Sequence, residues 1–319
     1  ELAASEATGG LSLEASGAIT QSGAIDADST ATFTSGANAI TLSHASNDFT
    51  GAVSLSNSGT NDVALTDANA LDLGTVDAGQ NLTITTSGAI SDSGVVTVAG
   101  TTTFDNSGGS SAAILLDSES TYTGNVSFTT DAGSDVTITD NSAFAIQSGL
   151  HVNNLSITST GSVTDLGDID IDGTLTVSAA SQTIDLSGTG NDLTGAVTLT
   201  GAAVTLEDTT ATSIAGISAT GALSVTSSGA ITQSGAIDAD STAGFTAGAN
   251  AITLTNTSND FSGAVSLSNS GSNDVALIDA NALDLGTVAV GQNLTVTTAG
   301  ALTDSGAITV AGLAKIVST

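Results

Sequence analysis

Apolar residues alternate with small polar ones in short runs along the whole chain. Leu11-Ser-Leu13, Ile40-Thr-Leu42, Val53-Ser-Leu55, Val63-Ala-Leu65, Leu71-Asp-Leu73 and Leu82-Thr-Ile84 each send two apolar groups one way and a small or polar group the other. SG, NSG, ND and AG turn signals separate them. Short, closely spaced strands with no helical period predict an all-β chain. Only Asp172-Gly173 carries the signal of a two-residue hairpin, and its repeat equivalents are Ala99-Gly100 and Ala311-Gly312. A wound path is therefore favoured over a meander.

The pattern repeats at a longer scale. The sixteen residues Ser16–Ala31 return unchanged at Ser228–Ala243, 212 positions later. Leu11, Leu82, Leu155, Leu223 and Leu294 open successive units at 11–81, 82–154, 155–222 and 223–293, with partial units at 1–10 and 294–319. The interval from the opening Leu to Phe33, Phe104, Val177 and Phe245 is the same in every unit. The slack sits between Val197 and Val204, three residues short, and between Phe104 and Tyr122, two residues long, which marks turns between fixed strands. A right-handed parallel β-helix fits best, a single solenoid segment over 1–319 in which each unit makes about three coils of roughly 23 residues. Leu13, Phe33, Leu55, Leu65, Leu73 and Ile84 should line the interior, with Ser12, Ser54, Asp72 and Thr83 outside. The recurring glycines Gly17, Gly88, Gly161, Gly229 and Gly300 are expected to hold positive backbone angles.

Composition sharpens this picture. The chain has no Cys, Pro, Met or Trp, and seven Phe plus Tyr122 are its only aromatics, so it lacks the large side chains of an ordinary globular core. Small and β-branched residues suit narrow stacked strands and tight turns. Thirty-two acidic residues face Lys315 alone, which argues against nucleic-acid binding and against docking on anionic lipid. Such a surface should be eased by salt or divalent cations. No signal peptide, membrane span or lipidation motif is present, and a start at Glu1 suggests a processed chain or a piece of a longer one.

The segments NDFTGAVSL (47–55), NDLTGAVTL (191–199) and NDFSGAVSL (259–267), with GQNLTIT and SGAITQSGAI, resemble the repeat region of large bacterial surface exoproteins. These are the filamentous-haemagglutinin-like, β-strand-repeat adhesins. The resemblance covers essentially the whole chain and implies a β-helical stalk, export to the cell surface, and adhesion or biofilm roles.

Candidate chemistry is sparse. Asp168, Asp170 and Asp172, in D-x-D-x-D-G, form the best metal candidate, since that pattern opens many calcium loops. The same slot holds VVTVAG and AITVAG in other units, so the plainer reading turns Ile169 and Ile171 inward and leaves the aspartates in solvent. Asp26/Asp28 and Asp170/Asp172 are same-face pairs ~7 Å apart, near the spacing of an inverting glycosidase, but no Arg or Trp is at hand to hold a sugar. His44 and His151 have no histidine at equivalent positions and read as surface or turn residues. Asn47-Asp48, Asn191-Asp192 and Asn259-Asp260 read as turns whose Asn side chain bonds its own backbone, each before a core plug, Phe49, Leu193 or Phe261. Thr83/Thr85 and Thr295/Thr297 recur too rarely for an ice-binding array.

These features point to a non-catalytic structural stalk or filament segment of an exported bacterial surface protein, with no cofactor beyond calcium at the surface. The alternative is a solenoid module that binds carbohydrate or a cell surface, with a polysaccharide-cleaving β-helix third. Unit two, with Tyr122, Phe128 and Phe144, is the place to look for a binding face. Neither end reads as a polar cap, so neighbouring solenoid rungs or subunits stacked end to end are the expected partners.

Overall fold

The computed structural model describes residues 1–109 and 111–318, all strand, turn or irregular, without a helix. Two compact bodies can be distinguished, 1–161 and 162–319. Each is a parallel β-solenoid.

In 1–161 the chain winds through three stacks. The first takes Leu11–Glu14, Ala31–Thr34, Val53–Asn57, the second half of Leu71–Ala78, Val96–Val98 and the end of Ile114–Tyr122. The second takes Ile19–Thr20, Ile40–Leu42, Val63–Asp67, Leu82–Thr86, Thr102–Asp105, Val126–Thr129 and Phe144–Ile146. The third begins as Ser5–Ala7, Ile25–Ala27 and Asp48–Phe49. It continues through the first half of Leu71–Ala78, Ile90–Asp92, the start of Ile114–Tyr122, Val136–Asp140 and Leu155–Ser159.

The body 162–319 repeats the scheme. One stack runs from Val163–Asp165 through Ile184–Leu186, Val204–Asp208, Leu223–Ser227, Ala243–Thr246 and Ala264–Ser268 to Leu283–Val290. A second holds Ile231–Gln233, Ile252–Leu254, Val275–Asp279, Leu294–Thr298 and Ala314–Ser318. A third holds Leu175–Ser178, Ala196–Gly201, the end of Thr212–Ala219, Ile237–Ala239 and Asp260–Phe261.

Most coils are shorter than the spacing of the repeat suggests. The chain returns soonest where Val197 meets Ile214 and takes longest where Ile90 meets Ile114. Leu11 with Ala31 and Leu82 with Thr102 fall between these extremes. A unit therefore completes three coils and runs on into the next stack. Leu11, Leu82 and Leu155 open their units in three different stacks, and Leu223 and Leu294 in two. Both points of slack fall between strands, at 202–203 and between Thr102–Asp105 and Ile114–Tyr122.

The interior follows the alternation. Phe33, Leu55, Leu65, Leu73 and Ile84 are buried, whereas Leu13 is half-buried. Ser12 and Thr83 are exposed and Ser54 and Asp72 half-exposed. In three units the aromatic at the fixed interval from the opening Leu meets the plug of the same coil ring to edge. The pairs are Phe33 with Phe49, Phe104 with Tyr122, and Phe245 with Phe261, each 6.1 Å between centroids. Such pairs add about 1 kcal/mol to the burial of their area.

The recurring glycines are required for a reason other than the one expected. Among the glycines, positive φ occurs at Gly36, Gly149, Gly190 and Gly248, not at Gly17, Gly88, Gly161, Gly229 or Gly300. A Cβ on Gly229 would instead lie 2.7 Å from the Ala211 Cα, and one on Gly161 2.5 Å from the Ala143 nitrogen. The constraint is the backbone of the adjacent coil, which is only ~4.8 Å away. Gly17 has no such neighbour within 4 Å. Gly229→Ala should thus destabilise by about 1–3 kcal/mol in denaturant titrations, the range for overpacking, and Gly17→Ala by much less. Equal losses would overturn this account.

Candidate functional site

Three positions per unit form a buried polar cluster. Asn47, Asn191 and Asn259 are completely buried. The Asn259 Oδ1 accepts from the Ile237 backbone N–H (3.0 Å) and from Gln233 Nε2 (2.8 Å). Its Nδ2 donates to Gln233 Oε1 and to the carbonyls of Leu254 and Ile278. Asn47 repeats every contact with Gln21, Ile25, Leu42 and Thr66. The expected turn in which the Asn side chain bonds its own backbone is corrected: one side chain ties three successive coils, because burial obliges the amide to pair across the ladder.

The partner position lies ten residues after each opening Leu and holds Gln21, Asp92, Asp165 or Gln233. Asp165 accepts from Asn191 Nδ2 at 2.7 Å, and Asp92 from the Ser118 backbone N–H and the Ser120 hydroxyl. The third position is Asp67, Asp140, Asp208 or Asp279, which accepts from the backbone N–H of the plug: Phe49, Tyr122, Leu193 or Phe261. The sequence reading missed both, although their regular recurrence in each unit was visible.

Burial acts on these carboxyls. Desolvation pushes Asp67 up to about 6, against the hydrogen bond from Phe49 that favours its charge. Asp92, Asp140, Asp165 and Asp279 are raised by the same cause, and burial likewise raises the Tyr122 phenol.

The residues proposed from sequence lie elsewhere. Asp168 and Asp172 are exposed and Asp170 half-buried, while Ile169 and Ile171 are buried between them. Asp170 is in register with Asp192 of the next coil. Asp26 and Asp28 are both exposed beside buried Ala27, and Asp26 stands between Glu6 and Asp48 in an acidic column. His44 serves a turn: its Nδ1 accepts from the Ser46 N–H, the role that Asn256 Oδ1 plays toward Ser258. His151 is exposed, and its carbonyl accepts from Thr130 Oγ1. Thr83 and Thr85 have Ala64 and Thr66 on one side and Thr103 and Asp105 on the other, so no threonine array forms.

Unit two departs from the others in its wall. A cleft of about 250 Å³ opens between Val126–Thr129 and 144–150, lined by Phe128, Phe144, Ile146 and Gln147 among others. Phe128 lies against Phe104, rings 5.9 Å apart and nearly parallel.

Parallel strands wound into coils, internal polar ties and a repeat of some seventy residues define a β-solenoid repeat protein. The chain belongs to a family described as repeats of unknown function (DUF5649), whose model matches residues 1–56, 60–129, 133–200, 201–268 and 272–319. The matches from 60, 133, 201 and 272 each start at one constant distance before Leu82, Leu155, Leu223 and Leu294, so both readings give the same unit lengths. No curated protein and no solved structure matches the chain.

The clusters make two predictions. Asn259→Ala leaves the Ile237 N–H and the Gln233 amide unpaired, at about 1–3 kcal/mol for each orphaned group. It should lose roughly 3 kcal/mol or more in denaturant titrations, while Asn256→Ala loses about 1 or less. The second concerns pH. The raised carboxyls bind protons more tightly folded than unfolded. Their contribution is fully present below the unfolded value of 3.8 and is lost as pH rises through the folded value, about 6 for Asp67. Melting temperature should therefore be several degrees higher at pH 5 than at pH 8. A maximum above pH 7 would contradict this.

Proposed function

We propose that the chain is a non-catalytic stalk or filament segment of an exported bacterial cell-surface protein, serving adhesion, biofilm or extracellular fibre formation. The observation that carries this reading is the mismatch between repeat and coil. Because each unit ends one stack beyond its start, Ser12, Thr83 and Ser156, which occupy the same place in their units, lie in three different stacks. Duplication of such a unit lengthens the solenoid without building a flat face of aligned ligands. A rod under selection for length and rigidity tolerates that outcome, whereas a face that binds a repetitive partner requires commensurate spacing. The resemblance of the NDFTGAVSL and SGAITQSGAI segments to filamentous-haemagglutinin-like exoproteins supports the same reading. So does the chemistry of the polar clusters, whose groups are turned inward to bind backbone.

Antibody against the chain, used for immunogold imaging of intact producing cells, should decorate extended surface material. Label confined to the cell interior would refute the proposal.

Surface calcium or magnesium belongs to the same reading. Glu6, Asp26 and Asp48, and separately Asp238 and Asp260, bring carboxylates of adjacent coils within one Debye length of about 8–10 Å. Millimolar calcium should raise the melting temperature by roughly 2–5 °C over sodium at equal ionic strength. Identical curves with calcium and with EDTA would remove the cation from the account.

A further inference from the structure

The unit 82–154 differs from the others at one place in its wall. Val126–Thr129 is paired with the preceding strand at four positions but with the following one only where Val126 meets Ile146. The corresponding strand Val53–Asn57 has four partners in the next coil, Ala196–Gly201 has six and Ala264–Ser268 four. Leu55, Leu199 and Leu267 are sealed inside, whereas Phe128 at the same position is half-buried.

The cause lies eight residues before the next opening Leu. Units one and four have Gly74 and Gly286 there, and a Cβ on either would come within 2.5 or 2.6 Å of the Ser54 or Ser266 hydroxyl in the adjacent coil. Unit two has Gln147 at that position, opposite Ser127. Unit three keeps six partners with Ala215 at this place, so a Cβ alone is tolerated, and the coils part beside the longer Gln147. Gly149, at φ +80°, turns the chain away into open space.

What opens is the cleft of about 250 Å³, below the volume of drug-sized pockets and suited to one six-membered ring. Phe128 and Phe144 supply apolar surface, and Phe128 is held flat by Phe104 behind it. Ser127, Thr129 and Ser148 bring hydroxyls to the rim. The Gln147 amide lies in the wall with its nitrogen shielded and unpartnered, and rotation about its last torsion exchanges donor for acceptor. No acidic or basic side chain lines the cleft, while the chain carries a net charge of −31. Anions are thus repelled, and a wholly apolar guest would leave the Gln147 amide nitrogen without a partner.

We propose that this cleft binds a neutral pyranose unit of a glycan, its apolar face on Phe128 and its hydroxyls toward Gln147 and the rim. This goes beyond the stalk reading and stands or falls separately from it.

The chain has no Trp, so Phe128→Trp places a unique fluorophore in the cleft. Titration with methyl pyranosides of glucose, galactose, mannose and N-acetylglucosamine should give a saturable emission change with at least one, at a Kd of about 1 mM. Adding Gln147→Gly restores the residue of units one and four, should close the wall, and should weaken binding by about tenfold or more while raising the melting temperature. Saturation-transfer NMR with the same glycosides on the unaltered protein gives the binding result independently of how the variants fold. The proposal is overturned if no neutral pyranoside saturates below about 50 mM. It is equally overturned if glycerol or glucuronate binds as well as the glycosides, if Gln147→Gly leaves binding intact, or if the emission changes with protein concentration alone, which would assign the cleft to a second copy.

Discussion

The parallel backbone ladder between coils is the interaction on which the rest of this structure depends. It fixes neighbouring backbones ~4.8 Å apart, and that distance decides which side chains are tolerated at the corners. Gly88, Gly161, Gly229 and Gly300 sit where a Cβ would meet the next coil's main chain. Asn47 and Asn259 sit where one amide can reach three coils at once. Where a large residue takes a glycine's place, as Gln147 does, the ladder opens and a cleft results.

The ladder also governs the electrostatics. Stacking places like charges in columns, such as Glu6, Asp26 and Asp48, with Lys315 as the only Lys or Arg in the chain. Inside, it draws Asp67, Asp140 and Asp279 out of water to hold the backbone of an aromatic plug, so that desolvation raises their proton affinity. Acidic conditions ease both kinds of stress at once, a behaviour opposite to that of proteins whose carboxylates are stabilised by ion pairs.

A regular ladder and a local cleft are compatible because they arise at different scales. Most of the repeat encodes only closure of the ladder, and its advance by one stack per unit scatters whatever it displays. A specific site can then arise only where a single unit breaks its own pattern. Unit two does so through Phe128, Gln147 and Gly149, three residues without counterparts at the same positions of units one and four.

The sequence alone determined the strands, the units and the interior. A period of two is a property of the extended chain itself, so Phe33, Leu55 and Ile84 could be assigned to the core without knowing their neighbours. It also placed the aspartates around Ile169 and Ile171 outside and gave the right positions for slack. The coil length, the role of the glycines and the ties made by Asn47, Gln21 and Asp67 were decided by tertiary structure. Each depends on which residue lies one coil above or below, and that offset varies with the turns, from the short return of Val197 to Ile214 to the long one of Ile90 to Ile114. The cleft is the extreme case. Phe128 is not unusual in its own strand and Gln147 lies just past Phe144–Ile146, and the wall opens only where these two coils face each other.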